Sequence, residues 1–299
     1  MNEKRHHLQH IVRVILPILI LTLSSLACGI NLSGSNDQES LQLEQTRVAL
    51  QQTQVALDAL TQDNTTETEP APVPDVSYEG ISFSFDENIA AAISPAIIPG
   101  QNLGEDYMPG DTYPTYYEFS ISGYAVGNHF HTPVINVYPV AEYRSISTMA
   151  SNIIDNLQAA LVNHPSGGSS EDLPFLPIWN AAQIFSAKVT YFDFQNGSGV
   201  RYLTMYGQAL YPVDNQNLFY TYQGLTSDGQ YYISAVLPVT NPILPDDGST
   251  TVDDWMAFDQ NWETYIVGVL QTLNGQSAEN FTPSLALLDE MMASFSIEP

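Results

Sequence analysis

The chain has 299 residues, of which 44% are hydrophobic and 11% aromatic, so a folded domain with a substantial core is expected. Its formal net charge is −26 although only 13% of residues are charged, because Lys and Arg together number 7. Neutralising nucleic-acid phosphates or anionic lipid headgroups requires clustered Lys and Arg, so the composition argues against both kinds of partner.

The N-terminus follows the plan of an export signal. Lys4 and Arg5 precede an apolar stretch of about 14 residues, Val14–Ala27, which ends in small residues. This stretch is shorter than the roughly 20 residues of a membrane-spanning helix, and Pro17 interrupts it. We therefore predict a signal peptide over residues 1–27.

The single cysteine of the chain, Cys28, follows this stretch directly in the order Ser-Ser-Leu-Ala-Cys-Gly. The motif resembles the lipobox of bacterial lipoproteins, in which the thiol receives a diacylglyceryl group and signal peptidase II cuts just before it. Ala27 is the small residue of that pattern, whereas Ser25 stands where Leu is commoner. The resemblance implies a lipoprotein of the cell envelope, anchored to a membrane through Cys28 and facing outside the cytoplasm. The alternative is an ordinary signal peptide or an uncleaved anchor.

Residues 28–75 are predicted to be a tether. Within them, Thr46–Leu50 returns seven positions later as Thr53–Leu57, and good helix formers surround both copies, which predicts a helical stalk with a heptad-like repeat. The repeats are fewer than a coiled coil normally needs. Thr61–Asp75 is rich in Thr, acids and Pro, which is typical of a disordered or polyproline spacer. The globular domain is then expected over residues 76–299.

Strand and helix patterns alternate through this domain. Period-two stretches predict early strands, and apolar spacings of three and four predict an amphipathic helix over Glu142–Val162. Turn residues, among them Asp228-Gly229, separate the next four strands, which predicts an antiparallel meander. The early strands are Glu79–Phe85, Tyr116–Tyr124 and Pro133–Val137; the meander strands are Ala182–Gln195, Val200–Leu210, Leu218–Thr226 and Gln230–Val239.

Two further helices, Asp254–Leu273 and Pro283–Ala293, and a last strand, Ser294–Ile297, complete the expected domain. The fold class is therefore α+β, with an antiparallel meander sheet packed against about three helices. This element order resembles the Mog1/PsbP-like fold, a group consisting largely of non-enzymatic partner proteins. The resemblance implies an accessory or interaction role and carries no site residue across.

Catalytic motifs for metalloproteases, serine hydrolases and nucleotide-binding loops do not occur in the sequence. His129 and His131 would share one face of an extended segment, as two metal ligands would, but no third ligand accompanies them. Exposed polar residues beside a loop are the favoured interpretation. Four carboxylates lie within nine positions in one loop and offer hard oxygens for calcium, although they also suit a helix N-terminus. These candidate calcium ligands are Asp246, Asp247, Asp253 and Asp254.

The central hairpin supplies the candidate binding face. A two-residue turn at Gly197-Ser198 pairs Phe192 with Leu203, and places Phe192, Leu203 and Met205 beneath the helices. The opposite face then carries Tyr191, Tyr202 and Tyr206, which we interpret as a surface for an unknown protein or small ligand. A ligand- or protein-binding module is therefore the favoured function. An extracytoplasmic enzyme with a dispersed site is the alternative.

Overall fold

The computed structural model describes residues 75–104, 107–108, 110–169 and 172–298. The signal peptide, Cys28, the stalk and most of the spacer lie outside the described residues. Pro72–Pro299 forms one compact unit, and its described part has five α-helices and a large antiparallel sheet. The predicted α+β class is confirmed.

The secondary-structure elements follow one another in mixed order. The strands are β1 Val76–Tyr78, β2 Ile81–Phe83, β3 Ala92–Ile98, β4 Tyr116–Ser122, β5 Val134–Pro139, β6 Ala182–Gln183, β7 Ala187–Phe194, β8 Gly197–Thr204, β9 Tyr206–Gly207, β10 Phe219–Thr226, β11 Tyr231–Pro238 and β12 Ser296–Ile297. The α-helices are α1 Val140–Ile146, α2 Thr148–Asn163, α3 Trp255–Gln260, α4 Trp262–Gly275 and α5 Leu285–Ala293.

The main sheet has seven strands in the order β3-β4-β5-β11-β10-β8-β7, and every neighbouring pair is antiparallel. The four predicted meander strands lie side by side in it as β7, β8, β10 and β11. The hairpin at Asp228-Gly229 joins β10 to β11, with Gly229 at φ 70°. Two small sheets, β1-β2-β12 and β6-β9, accompany the main one.

Helices cover both faces of the main sheet. On one face Leu203 and Met205 belong to the same buried cluster as Ile266 of α4 and Leu288 of α5. On the other face the buried residues of α2, such as Ile154, pack with neighbours on β8 and β11. All eight residues of β10 are buried as a result. The sheet is the middle layer, and neither of its faces is left open along the central strands.

Two predicted helices are each divided by a polar residue. Ser147, in extended conformation, ends α1 and caps α2 by accepting a hydrogen bond from Ala150 N through Oγ at 3.2 Å. Asn261 separates α3 from α4. Ser and Asn compete with helical hydrogen bonds through their own side chains, which is why the chain bends at these points despite continuous apolar spacing.

The register predicted for the central hairpin is wrong. Phe192 pairs with Gly199 and Phe194 with Gly197, so the two-residue turn is Gln195-Asn196. Asn196 donates from Nδ2 to Ile297 O at 2.5 Å and accepts from Ile297 N at 3.1 Å, which fixes the turn against β12. The displacement is an even number of residues, so the predicted faces survive it.

Candidate functional site

The predicted tyrosine face is not an open surface. Tyr202 is 0% exposed and donates from its hydroxyl to Pro174 O at 2.9 Å, while Tyr191 is half-buried and donates to Pro165 O at 2.9 Å. Tyr206 is partly buried and is the one member of the three that lines a cleft. The hypothesis of an exposed Tyr191, Tyr202 and Tyr206 platform is therefore corrected.

The segment that contains Pro174 and Leu176 covers Tyr202, and the buried side-chain amide of Gln223 holds this segment in place. Gln223 on β10 accepts from Leu176 N at 2.9 Å through Oε1 and donates from Nε2 to Leu176 O at 3.1 Å. Tyr232 also donates to Gln223 Oε1, at 2.6 Å. Because these buried groups satisfy each other, a polar sheet face packs as tightly as an apolar one.

The acidic loop uses carboxylates to cap local structure. Asp247 Oδ1 accepts from Ser249 N at 2.9 Å and Asp254 Oδ1 accepts from Ala257 N at 3.1 Å at the start of α3. Throughout the described ranges, no three His, Cys, Asp or Glu side chains form a group that could hold a metal ion. Calcium binding by Asp246, Asp247, Asp253 and Asp254 stays a prediction, and equal melting temperatures in millimolar calcium and in chelator would remove it.

A cleft of about 510 Å³ lies beside the edge where β9 follows β8. Its volume falls in the range of small-molecule sites. Its described lining combines side-chain amides with aromatic rings, and we call it the amide cleft. The lining residues are Asn128, His129, Phe130, Met205, Tyr206, Gly207, Gln208, Ala209, Tyr211, Gln216 and Asn217.

One wall of the amide cleft is the loop that carries the two histidines. His129 Nε2 lies 2.8 Å from Leu218 O, and His129 Nδ1 accepts from His131 N at 3.0 Å. The Nδ1 atom accepts, so the proton is on Nε2 and the ring is neutral. Phe130 N donates to Gln216 O at 2.8 Å, which joins this loop to the opposite wall. Both histidines therefore hold the loop in place.

The opposite wall depends on a buried carboxylate. Asp214 is 0% exposed, and its Oδ1 accepts from Asn217 N at 3.0 Å and from Asn217 Nδ2 at 2.8 Å. Its Oδ2 accepts from Gly248 N at 2.8 Å. Three charge-assisted bonds replace the water lost by this carboxylate and fix the turn from residue 214 to 217. Asp214 consequently orients Asn217 and does not itself line the cleft.

The floor of the amide cleft continues into a cluster of stacked rings. His131 lies parallel to Trp179, with centroids 4.6 Å apart and an interplanar angle of 2°. Tyr206 contacts Trp179 edge-on at 5.2 Å and Phe175 at 4.6 Å. Phe219 completes the cluster from β10. Such interlocked rings fix the position of Tyr206 at the cleft.

The titratable groups at this site are held in their neutral forms. Burial and, to a smaller extent, the neighbouring His129 together lower the pKa of His131 to about 4. Burial also lowers the pKa of His129, against the hydrogen bond to Leu218 O. Burial raises the pKa of the Tyr206 hydroxyl. The cleft is therefore uncharged at neutral pH.

Several polar groups of the lining have no protein partner. Within the described structure, the side-chain amides of Asn128 and Gln216 make no hydrogen bond to protein, and Phe130 is 78% exposed at the rim. The described lining holds no Asp, Glu, Ser, Thr, Cys, Lys or Arg. The described lining therefore offers a bound molecule side-chain amides and aromatic rings.

Comparison with known proteins adds no family to this description. No protein-family model, curated protein or solved structure matches the chain. The resemblance to the Mog1/PsbP-like fold stays an expectation from element order. Among the described helices, none has the length and apolar character needed to cross a membrane.

The sequence marked His129 and His131 as two possible metal ligands without a third. In the structure both histidines anchor a loop beside a cleft that the sequence did not reveal. Asn128 lies far along the chain from Gln208 and from the adjacent pair Gln216-Asn217, and no recognisable motif connects them. The one available signal was the Asn-His-Phe-His run, in which an exposed ring follows a histidine.

Proposed function

We propose that the chain is an exported lipoprotein whose folded unit binds a small molecule in the amide cleft. The observation that carries the binding part is the pair of unpartnered amides, Asn128 and Gln216, in a cleft of about 510 Å³ whose walls are fixed by hydrogen bonds. Preformed walls lower the entropy that a ligand must lose on binding. A binding protein tethered outside the cytoplasm would capture its ligand close to the membrane.

The membrane attachment rests on the lipobox-like sequence around Cys28. Cys28→Ser removes the single thiol of the chain, so we expect the variant to incorporate no labelled palmitate and to leave the membrane fraction. Ser25→Leu, which brings the motif closer to the family pattern, is the matched control and should keep the label. Label retained by Cys28→Ser would contradict the proposal.

The residue types that line the amide cleft favour ligand binding over catalysis. A hydrolase or transferase needs a nucleophile or a general acid and base within hydrogen-bond reach of the substrate. His129 is the described lining residue closest to that role, but both of its ring nitrogens already hold the loop. An enzyme remains the alternative reading, and turnover of any bound compound would favour it.

A small-molecule screen tests the binding part. The full-length chain, kept in a detergent without a sugar headgroup, is screened by ligand-observed saturation-transfer NMR against chemically diverse fragments. We expect hits whose signals weaken in Phe130→Ala, which removes an exposed ring from the rim. Tyr107→Ala is the control, because Tyr107 is also an exposed ring, at 61%, and does not line the cleft. Hits whose saturation-transfer signals are unchanged in Phe130→Ala would show that binding occurs elsewhere, and they would overturn the proposal.

A further inference from the structure

We infer that the ligand of the amide cleft is an uncharged polyhydroxylated molecule, of which a neutral sugar is the simplest form. The inference rests on the proposed function, since it names the chemical class that the cleft would take. Three properties of the cleft support it: its charge, its unpartnered amides and its rings.

An anionic ligand has no counter-charge at this site. The described chain has three basic side chains, and each is already engaged. Arg144 pairs with Asp155 at 2.7 Å, Arg201 pairs with Asp289 at 2.8 Å, and Lys188 Nζ donates to Gln276 O at 2.6 Å. With a net charge of −26, the chain as a whole repels anions.

A cationic ligand fits poorly for a different reason. The described lining has no carboxylate. Asp214, which lies behind it, is fully buried, and its oxygens already accept hydrogen bonds from Asn217 and Gly248. Asp247 accepts from Tyr211 Oη at 3.2 Å and from Ser249 Oγ at 2.6 Å. A quaternary ammonium would also cover the amides of the cleft without pairing them, and an unpaired polar group taken from water is costly.

Hydroxyl groups satisfy those amides. A carboxamide donates two hydrogen bonds and accepts two, so it pairs with neighbouring hydroxyls that each donate and accept. Asn128 and Gln216 have both functions free, while Gln208 uses Nε2 on Asn180 O at 2.9 Å and keeps its Oε1. A site with this composition selects for a compound rich in hydroxyls, because a ligand lacking them leaves the amides unpaired.

The rings supply the second half of sugar recognition. One face of a pyranose presents C–H groups with a partial positive charge, and the face of an aromatic ring is negative. Phe130 and Tyr211 line the cleft, and Phe130 is held edge-on to His131 with centroids 4.9 Å apart. A volume of about 510 Å³ accommodates one or two sugar rings.

The test measures which class of probe binds and through which residues. Neutral methyl glycosides and short neutral oligosaccharides, a sugar phosphate, and tetramethylammonium are each offered at millimolar concentration to the full-length chain in a detergent without a sugar headgroup. Saturation-transfer NMR detects binding, and calorimetry gives the dissociation constant. We expect binding of at least one neutral sugar and of neither charged probe.

Variants then locate the binding. Gln216→Glu keeps the side-chain size but replaces the amide donor by a carboxylate, and Phe130→Ala removes the ring, so each should weaken sugar binding about tenfold or more. Phe130→Trp should retain it. Gln271→Glu, the same change on the exposed face of α4, and Tyr107→Ala are matched controls and should have no effect.

The outcomes separate this inference from the proposed function. Binding of tetramethylammonium or of the sugar phosphate, sensitive to Phe130→Ala, overturns the sugar assignment and leaves the cleft as a small-molecule site. No binding of any neutral sugar also overturns the assignment, and the fragment screen then decides the proposed function alone. Sugar binding unchanged in both Gln216→Glu and Phe130→Ala overturns the assignment of this cleft.

Discussion

Arg201 on β8 donates two parallel hydrogen bonds to Asp289 on α5, from Nε to Oδ1 at 3.0 Å and from Nη2 to Oδ2 at 2.8 Å. Arg201 is only 6% exposed. Tyr220 donates to Asp289 Oδ1 at 3.0 Å, and Arg201 Nη1 donates to Lys188 O. This network joins the sheet to the C-terminal helix through a charge pair in which Arg201 is buried and Asp289 is partly exposed.

Breaking this pair on one side should be more harmful than removing both partners. Asp289→Ala leaves the Arg201 charge buried without its partner, so we expect a loss of about 3 to 5 kcal/mol in the free energy of unfolding. The double variant Arg201→Met, Asp289→Ala should lose clearly less than Asp289→Ala alone. Urea unfolding of the wild type and the three variants, with Arg201→Met completing the cycle, measures the difference. Additive losses would contradict the coupling.

Truncation to alanine should destabilise the protein more at Tyr202 than at Phe192, which is the reverse of the order that the sequence predicts. Tyr202 is fully buried, so Tyr202→Ala should cost about 3 to 5 kcal/mol, and half-buried Phe192→Ala about 1 to 2 kcal/mol. Tyr202→Phe removes the hydroxyl that donates to Pro174 O at 2.9 Å and accepts from Gln183 Nε2 at 3.2 Å, and should cost about 1 to 2 kcal/mol. Chemical denaturation gives all three values. A larger loss for Phe192→Ala than for Tyr202→Ala would contradict the full burial of Tyr202.

Gly199 should not tolerate even one methyl group. A Cβ at Gly199 would lie 2.3 Å from Cζ and 2.5 Å from Oη of Tyr222, whose hydroxyl donates to Phe192 O at 3.1 Å. Gly199→Ala should therefore lower the melting temperature by displacing that ring, at a cost of about 1 to 3 kcal/mol. Gly268→Ala is the control, because no atom other than the local backbone of α4 lies within 4 Å of its Cβ position. That control should stabilise by about 0.5 to 1 kcal/mol.

Stability should fall between pH 6.5 and 4 partly because of His131. Burial lowers its pKa from an ordinary value of 6.5 to about 4, so the unfolded chain binds its proton first as the pH falls. The stabilisation is complete above pH 6.5 and is lost as the pH drops towards 4, by about 2 kcal/mol once partial solvent screening is allowed for.

His131→Phe tests this pH dependence. Phenylalanine keeps a ring against Trp179 but cannot be protonated, so the difference in stability between wild type and variant should change across that pH window. Urea midpoints measured at several pH values provide the comparison. Two curves that stay parallel from pH 6.5 to 4 would show that another group titrates.

Local patterns determined much of the domain. Period-two alternation marked the strands that became β4 and β5, because residues two apart share a face of any strand, and turn residues marked the boundaries of the four meander strands. The sequence pattern did not predict the strand β3, Ala92–Ile98, because its alanines and Pro95 have little strand preference. It pairs with β4 at the edge of the sheet, where a proline is tolerated.

Tertiary structure decided which polar groups are buried and which stay open. The sequence predicted that Tyr191, Tyr202 and Tyr206 face solvent. In the structure Gln223 and the segment around Leu176 that it binds close that face, because their hydrogen bonds are satisfied only in the assembled fold. The sequence predicted a turn at Gly197-Ser198. In the structure Gly197 and Gly199 instead leave space for the rings of Phe194 and Tyr222. The amide cleft likewise unites residues 128–130 with residues 205–217, and only chain folding brings these segments together. The sequence by itself determined the α+β class and the meander, since both depend on neighbours along the chain.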